Sequence, residues 1–269
     1  MHTNIDSLFD GLWQDYLTVT PSAGRIHQLL GQNNRIINDH IALRTFNLPK
    51  VNLSVLAKHF EVLGYKACGD YHFESKKLKA KHFEHAVPNL PKVFISELLV
   101  EDFSPKLQMT INTLIDQIDD NAQVTCANHF LYSGRHWKMD SNTYQSLLAE
   151  SEYAAWVAAF GYRANHFTVS VNDLTAFTSL VSVNDFLKQQ GFVLNSSGGE
   201  IKGSKDVLLE QSSTMADKIL VIFDDKTIEI PSCFYEFALR YPKLDGELYT
   251  GFVASSADKI FESTDTQTK

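Results

Sequence analysis

Two histidines and a glutamate, His40, His166 and Glu236, have the residue types that hold a divalent metal without saturating it. Two neutral imidazoles and one carboxylate leave three coordination positions open on an ion such as Fe(II), where a chelating substrate and dioxygen can meet. Scattered side chains of these types would mean little. Their weight comes from placement. His40 lies near the start of "NDHIALRTF" (38–46), His166 near the start of "ANHFTVSVN" (164–172), and Glu236 inside "IPSCFYEFALR" (230–240). In the first string Ile41 and Leu43 alternate with His40, Ala42 and Arg44, the pattern of a half-buried strand. His40 and Arg44 therefore share a face, with Cα atoms about 13 Å apart at the rise of a strand.

The elements around these strings repeat. After the first strand, "LSVLAKHFEVLGYK" (53–66) has the apolar spacing of an amphipathic helix stopped by Gly64. A hairpin-like stretch and the strand "KVFISELLV" (92–100) complete a β-α-β-β-β order. The second copy runs through the strand 164–172, a helix over 174–192 halted by Gly191, further turns and strands, and the closing strand 230–240. In this formal repeat His40 corresponds to His166 and Glu97 to Glu236. Glu97 thus stands where a fourth ligand would complete the set, although a fourth protein ligand would remove a position that oxygen chemistry needs. An outward-facing or supporting carboxylate is the expectation for it. Two copies at this period are too few for a solenoid and suit two similar half-barrels around one cleft.

One catalytic domain is expected over 1–269: N-terminal helices in 1–35, a first module in 36–102, a helical insert in 103–162, a second module in 163–242 and a C-terminal segment in 243–269. The N-terminal helices break at "TVTPSAG" (18–24), and the insert is placed to cover one end of the cleft. Tyr235 and Phe237, flanking Glu236, are expected to pack on the opposite side of the sheet. Arg240 shares the face of Glu236 and is expected to pair with a carboxylate, at the site or as a structural ion pair. His129 and His136 in the insert are read as surface or packing residues.

Bulk composition narrows the classes. The chain of 269 residues is 44% hydrophobic and 21% charged, with a net charge of −8. No basic face stands out for nucleic acid, and the basic run "SKKLKAKHFEH" (75–85) reads as a solvated hairpin. Cys68, Cys126 and Cys233 form no CxxC pair, so neither a disulfide framework nor a thiolate zinc site is expected. No apolar run is long enough to span a membrane, and the N-terminus lacks a basic start followed by an apolar core. A cytoplasmic location is expected. Neither GxSxG nor HExxH occurs.

The strings "DHIALRTF", "RANHFTVSVN", "CFYEFALR" and "GFVASSADKIFEST" resemble the DUF1338 family, similar to 2-oxoadipate dioxygenase/decarboxylases, a branch of the vicinal oxygen chelate superfamily. The resemblance runs from about residue 35 to the C-terminus, and the chain looks like a compact member. It implies an α+β fold: two βαβββ modules of vicinal oxygen chelate type in a half-open mixed β-barrel around a metal site, with a helical N-terminus and a helical insert. It implies His40, His166 and Glu236 as ligands of Fe(II), with Zn, Mn or Ni as other occupants of the same ligand types. It further implies Arg44 as the catalytic-site group that holds a substrate carboxylate, and Ser255, in "YTGFVASSADKIFEST" (249–264), as a substrate-orienting residue. The implied reaction is that of an oxidoreductase of lysine catabolism: 2-oxoadipate and dioxygen give 2-hydroxyglutarate and CO2. Two other readings keep the same residues. One is a superfamily enzyme using a redox-inert metal for isomerase, lyase or hydrolase chemistry on a small oxo acid, favoured if Glu97 ligates. The other is a non-enzymatic small-ligand binder. The implied partners are a 2-oxo acid and dioxygen, with no nucleic acid or membrane; oligomeric state is open.

Overall fold

A computed structural model describes residues 4–32, 35–122 and 127–264. Cys126 lies outside the described residues. One eight-stranded sheet has the order β2-β3-β4-β1-β5-β10-β7-β6. Its first half is β1 (Asn38–Phe46), α3 (Leu53–Glu61), β2 (Lys66–Phe73), β3 (Leu78–Glu84) and β4 (Lys92–Leu98). The second half is β5 (Ala164–Ser170), α7 (Leu180–Gln189), β6 (Lys202–Ser204), β7 (Leu209–Ser213) and β10 (Phe234–Arg240). A two-stranded hairpin, β8 (Lys218–Ile222) with β9 (Thr227–Pro231), interrupts this half before its last strand. β1 pairs parallel with β4, β5 parallel with β10, and the two modules meet where β1 runs antiparallel to β5. The architecture is the α+β pair of βαβββ modules expected from the sequence.

The sheet curls into a half-barrel. The C-terminal helix α8 (Ala254–Ile260) touches β2 at one edge and β6 and β7 at the other, which a flat sheet of eight strands does not allow. Helices α1 (Ile5–Val19), α2 (Pro21–Gly31), α3 and α7 cover the convex side, with Trp13 and Tyr16 packed on Phe167 of β5. Pro21 begins α2 where its missing N–H costs nothing, so the chain turns between the two helices as expected. The insert supplies α4 (Pro105–Asp116), α5 (Ser141–Leu148) and α6 (Glu152–Phe160). Every residue from Tyr153 to Phe160 is buried, and a helix apolar all round must lie inside the protein. Tyr153 and Trp156 of α6 lie under the guanidinium of Arg44, so this helix closes one end of the cleft.

Three expectations need correction. β1 is buried along nearly its whole length rather than half-buried, because helices cover the side of the strand away from the cleft as well. The second helix starts only at Leu180, where the Ser179 side chain accepts a hydrogen bond from the Ser182 N–H; residues 174–179 are irregular. The segment 230–240 is divided between the end of β9 and all of β10.

Candidate metal centre

The concave face brings His40, His166 and Glu236 together. All three are buried, and their nearest ligating atoms lie within 4.8 Å of one another. Strand register explains the convergence. Thr168 of β5 stands opposite both His40 of β1 and Glu236 of β10, and His166 shares its face two residues away. His40 Nε2 is 3.7 Å from Glu236 Oε1, and His166 Nε2 is 3.1 Å from Glu236 Oε2.

Each imidazole is oriented by the residue before it. Asp39 Oδ1 accepts from His40 Nδ1 at 2.7 Å, and Asn165 Oδ1 accepts from His166 Nδ1 at 3.0 Å. A carboxylate and an amide oxygen only accept, so both Nδ1 atoms carry the proton and both Nε2 lone pairs face the centre. Asp39 is itself held by Arg240, whose Nε and Nη2 donate to its two oxygens at 2.6 and 2.9 Å. Burial opposes the Asp39 charge, but the Arg240 guanidinium and the His40 bond hold its carboxyl well below the usual range. Burial also lowers the basicity of His166, which favours the neutral, ligating form. Burial disfavours Glu236 as an anion, yet the positive charge of the imidazoles whenever they are protonated, and the bond from Gln211, bring its carboxyl below the ordinary value.

The donor set fits a divalent metal. Gln211 Nε2 donates to Glu236 Oε1 at 2.6 Å, while buried Oε2 has no hydrogen bond of good geometry despite its closeness to His166. A buried carboxylate oxygen without a partner is costly unless a cation meets it. Neutral imidazoles and a carboxylate suit Fe(II), Mn, Ni or Zn.

Glu97 is not part of this centre. β1–β4 pairing sets Thr45 opposite Glu97, on the convex side, where Glu97 Oε2 accepts from the Leu53 N–H and caps α3. His40 pairs with Lys92 as His166 pairs with Phe234, so two residues on, the counterpart of Glu236 is Phe94. Phe94 lines the pocket. The register therefore fills the fourth position with an aromatic ring.

The remaining expected residues divide. Arg44 shares the face of His40 but does not line the pocket, because Phe261 stands between. That ring borders the pocket on one side and meets the guanidinium at 5.5 Å on the other. Arg44 donates to Thr264 Oγ1 at 3.2 Å and to Glu152 Oε1 at 3.3 Å, and its Nε has no partner. Ser255 faces away: α8 turns Ser256, Ala257 and Ile260 inward, leaving Ser255 exposed over a surface depression. Tyr235 packs against Trp13 on the convex side, as expected for a neighbour of Glu236. Cys233 is buried, and burial pushes its thiol up to about 12. His136 bonds Ser133 and stacks on Phe130, and His129 packs on Tyr132, both away from the centre. Asp39, Asn165 and Gln211 carry no mark in strand patterning or residue type that would assign them to the centre on their own. The first two carried a signal: each ligand histidine is preceded by an Asp or Asn at matching points of the repeat.

Phe252, Ala257, Ile260 and Phe261 roof the pocket, which encloses about 20 Å³, room for one water. Arg240 Nη1 anchors the approach to this roof through the carbonyls of Tyr249 and Gly251. Among the described residues no helix is long and apolar enough to cross a membrane.

The profile of the 2-oxoadipate dioxygenase/decarboxylase family matches residues 7–244. A rice (Oryza sativa) protein named as a chloroplastic or amyloplastic 2-oxoadipate dioxygenase/decarboxylase is 37% identical over 93% of this chain and 75% of its own length. A crystal structure of hydroxyglutarate synthase from Oryza sativa in complex with 2-oxoadipate superposes with a TM-score of 0.89 at 35% identity, covering 97% of this chain and 91% of that one. A Shewanella frigidimarina protein, provisionally termed a hydrolase, is 69% identical with a TM-score of 0.91, over 94% of this chain and 99% of that one. The chain belongs to the 2-oxoadipate dioxygenase/decarboxylase family.

Proposed function

We propose that this protein is an Fe(II)-dependent dioxygenase that converts 2-oxoadipate and dioxygen to 2-hydroxyglutarate and CO2. The observation that carries the reading is the buried His40–His166–Glu236 triad with Phe94 in place of a fourth ligand, in a chain of this family. Bound Fe(II) would supply the open positions at which an oxo acid and dioxygen react. The chain's own residues do the rest. Asp39 and Asn165 fix the imidazole tautomers, and Gln211 holds one oxygen of Glu236 so that the other faces the centre. Phe94, Phe252 and Phe261 keep water away from the reacting carbon.

Arg44 is the group we assign to the distal carboxylate of the substrate. Its unpartnered Nε and its Thr264-bonded Nη2 form the fork that a carboxylate fills bidentately. Tyr153 and Trp156 hold the guanidinium from below. A six-carbon diacid does not fit the closed pocket, so Phe261 and Thr264 swing aside when it enters. Ser255 takes no part in this arrangement. The outward Glu97 removes the feature that favoured redox-inert chemistry.

Turnover under 18O2 tests the proposal. Attack of dioxygen on the keto carbon, loss of the adjacent carboxylate as CO2 and hydroxylation of the shortened acid place both labelled atoms in 2-hydroxyglutarate. Product without label, or no product from iron-loaded protein that binds 2-oxoadipate, overturns it.

A further inference from the structure

A second group of metal-ligating side chains lies outside the triad. Cys68 of β2 and His82 and Glu84 of β3 bring their nearest ligating atoms within 4.8 Å of one another. Their meeting depends on an irregularity. In the β2–β3 pairing Ala67 opposes Phe83 and Gly69 opposes His82, so Cys68 is the extra residue of a β-bulge. A regular strand would send residue 68 to the face opposite Gly69 and His82. The bulge re-aims it toward them, the use to which bulges near functional sites are put. Gly69 lets the imidazole sit flat on the strand, since a Cβ there would meet His82 Nδ1 at 2.8 Å.

We infer that Cys68, His82 and Glu84 form a second divalent-metal site, one that takes a thiolate-accepting ion such as Zn2+. His82 Nε2 and Glu84 Oε1 are already 2.9 Å apart. Adjacent N and O ligands of tetrahedral zinc stand roughly 3.3 Å apart, given bonds of about 2.0–2.1 Å, so replacing the shared proton by the ion needs little movement. Tyr71 OH, 2.8 Å from His82 Nδ1, supplies the partner that orients a ligating imidazole. Glu84 brings a carboxylate beside the Cys68 sulfur, so the three side chains offer a sulfur, a nitrogen and an oxygen donor to one ion. Lys66 beside Cys68 and Lys92 beside Glu84 are the competing cations, and burial already pulls the Lys92 ammonium toward neutrality. Three protein ligands leave a position for water. The site adjoins the roof of the first one: the ring of Phe252 lies 5.3 Å from His82 and 4.8 Å from His40, and its N–H donates to Tyr71 OH at 3.1 Å.

The test uses Co2+ as the probe, added to the metal-stripped full chain. A near-ultraviolet sulfur-to-cobalt charge-transfer band is expected in the unaltered protein and in His166→Ala, and its loss in Cys68→Ser. Bound zinc measured by native mass spectrometry should fall from two ions per chain to one in Cys68→Ser, in Glu84→Gln and in His166→Ala alike. Cys68 is exposed, so its serine variant keeps the fold. A band that survives Cys68→Ser, a band missing from the unaltered protein, or a single zinc ion in the unaltered chain would each overturn the assignment.

Discussion

The two modules share one topology and do opposite jobs at the same place. In the second, the strand position two residues beyond the partner of the histidine holds Glu236; in the first it holds Phe94. Four residues past the histidine the first module carries Arg44 and the second Ser170. The supports differ as well, for His40 is tied to an ionised Asp39 clamped by Arg240, and His166 to the neutral amide of Asn165. Duplication supplies two imidazoles facing one centre. Departure from it puts Phe94 where a fourth ligand would stand and adds Arg44, the group we propose as the anion clamp.

The largest change comes from restoring the symmetry. Phe94→Glu adds the fourth ligand of a symmetric pair, and oxygen uptake should fall to background while zinc binds at least as tightly. Loss of the ring from its contacts with Tyr71, Phe73 and Phe252 should lower stability by about 3–5 kcal/mol, read by denaturant unfolding. Retained turnover with the fold intact would show that the open position does not matter.

Arg44→Lys keeps the charge and removes the fork. A charged hydrogen bond contributes about 1.5–3 kcal/mol, so KM for 2-oxoadipate should rise roughly ten- to a hundredfold with a smaller change in kcat. A monocarboxylic 2-oxo acid should be far less sensitive to the substitution. Equal losses for both substrates would place the guanidinium's role in packing on Tyr153 and Trp156.

Asp39→Asn gives the first histidine the kind of support the second has. Metal affinity should fall by about tenfold, the lower end for partners of ligating histidines, as read by chelator competition. An unchanged affinity would mean that the Asp39 charge serves only Arg240.

The smallest effect is a pH slope. Lys202 of β6 is buried, and burial brings its ammonium down from 10.5 to about 8 despite nearby Glu236 and Glu262. Between about pH 8 and 10.5 the unfolded chain holds a proton that the folded one has released. This group therefore adds stability as pH rises through that window, and costs stability below it. Lys202→Met should remove that alkaline gain from the unfolding free energy; an identical slope in both proteins would contradict the shift.

Much of this was legible in the residues. The alternation in "NDHIALRTF" placed β1 at its observed ends, and the apolar spacing of 53–66 located α3. The triad was visible because strand parity and a repeated histidine are local signals. Glu97 faces outward as expected, yet the formal match of Glu97 with Glu236 fails, because a repeat counts elements whereas pairing register decides which residue faces inward, and register depends on contacts between distant strands. Ser255 misled because the phase of a short helix is set by what it packs on. The Phe261 ring between Arg44 and the His40–His166–Glu236 triad had no sequence signal, since it belongs to a terminal segment that folds back across the sheet.

The most direct measurement is dioxygen uptake by metal-stripped protein reloaded anaerobically with Fe(II), with and without 2-oxoadipate, beside Glu236→Ala. Uptake that needs both iron and the oxo acid, equals CO2 released and vanishes in the variant is the expected result. Iron-loaded protein that binds 2-oxoadipate and consumes no oxygen would contradict the account.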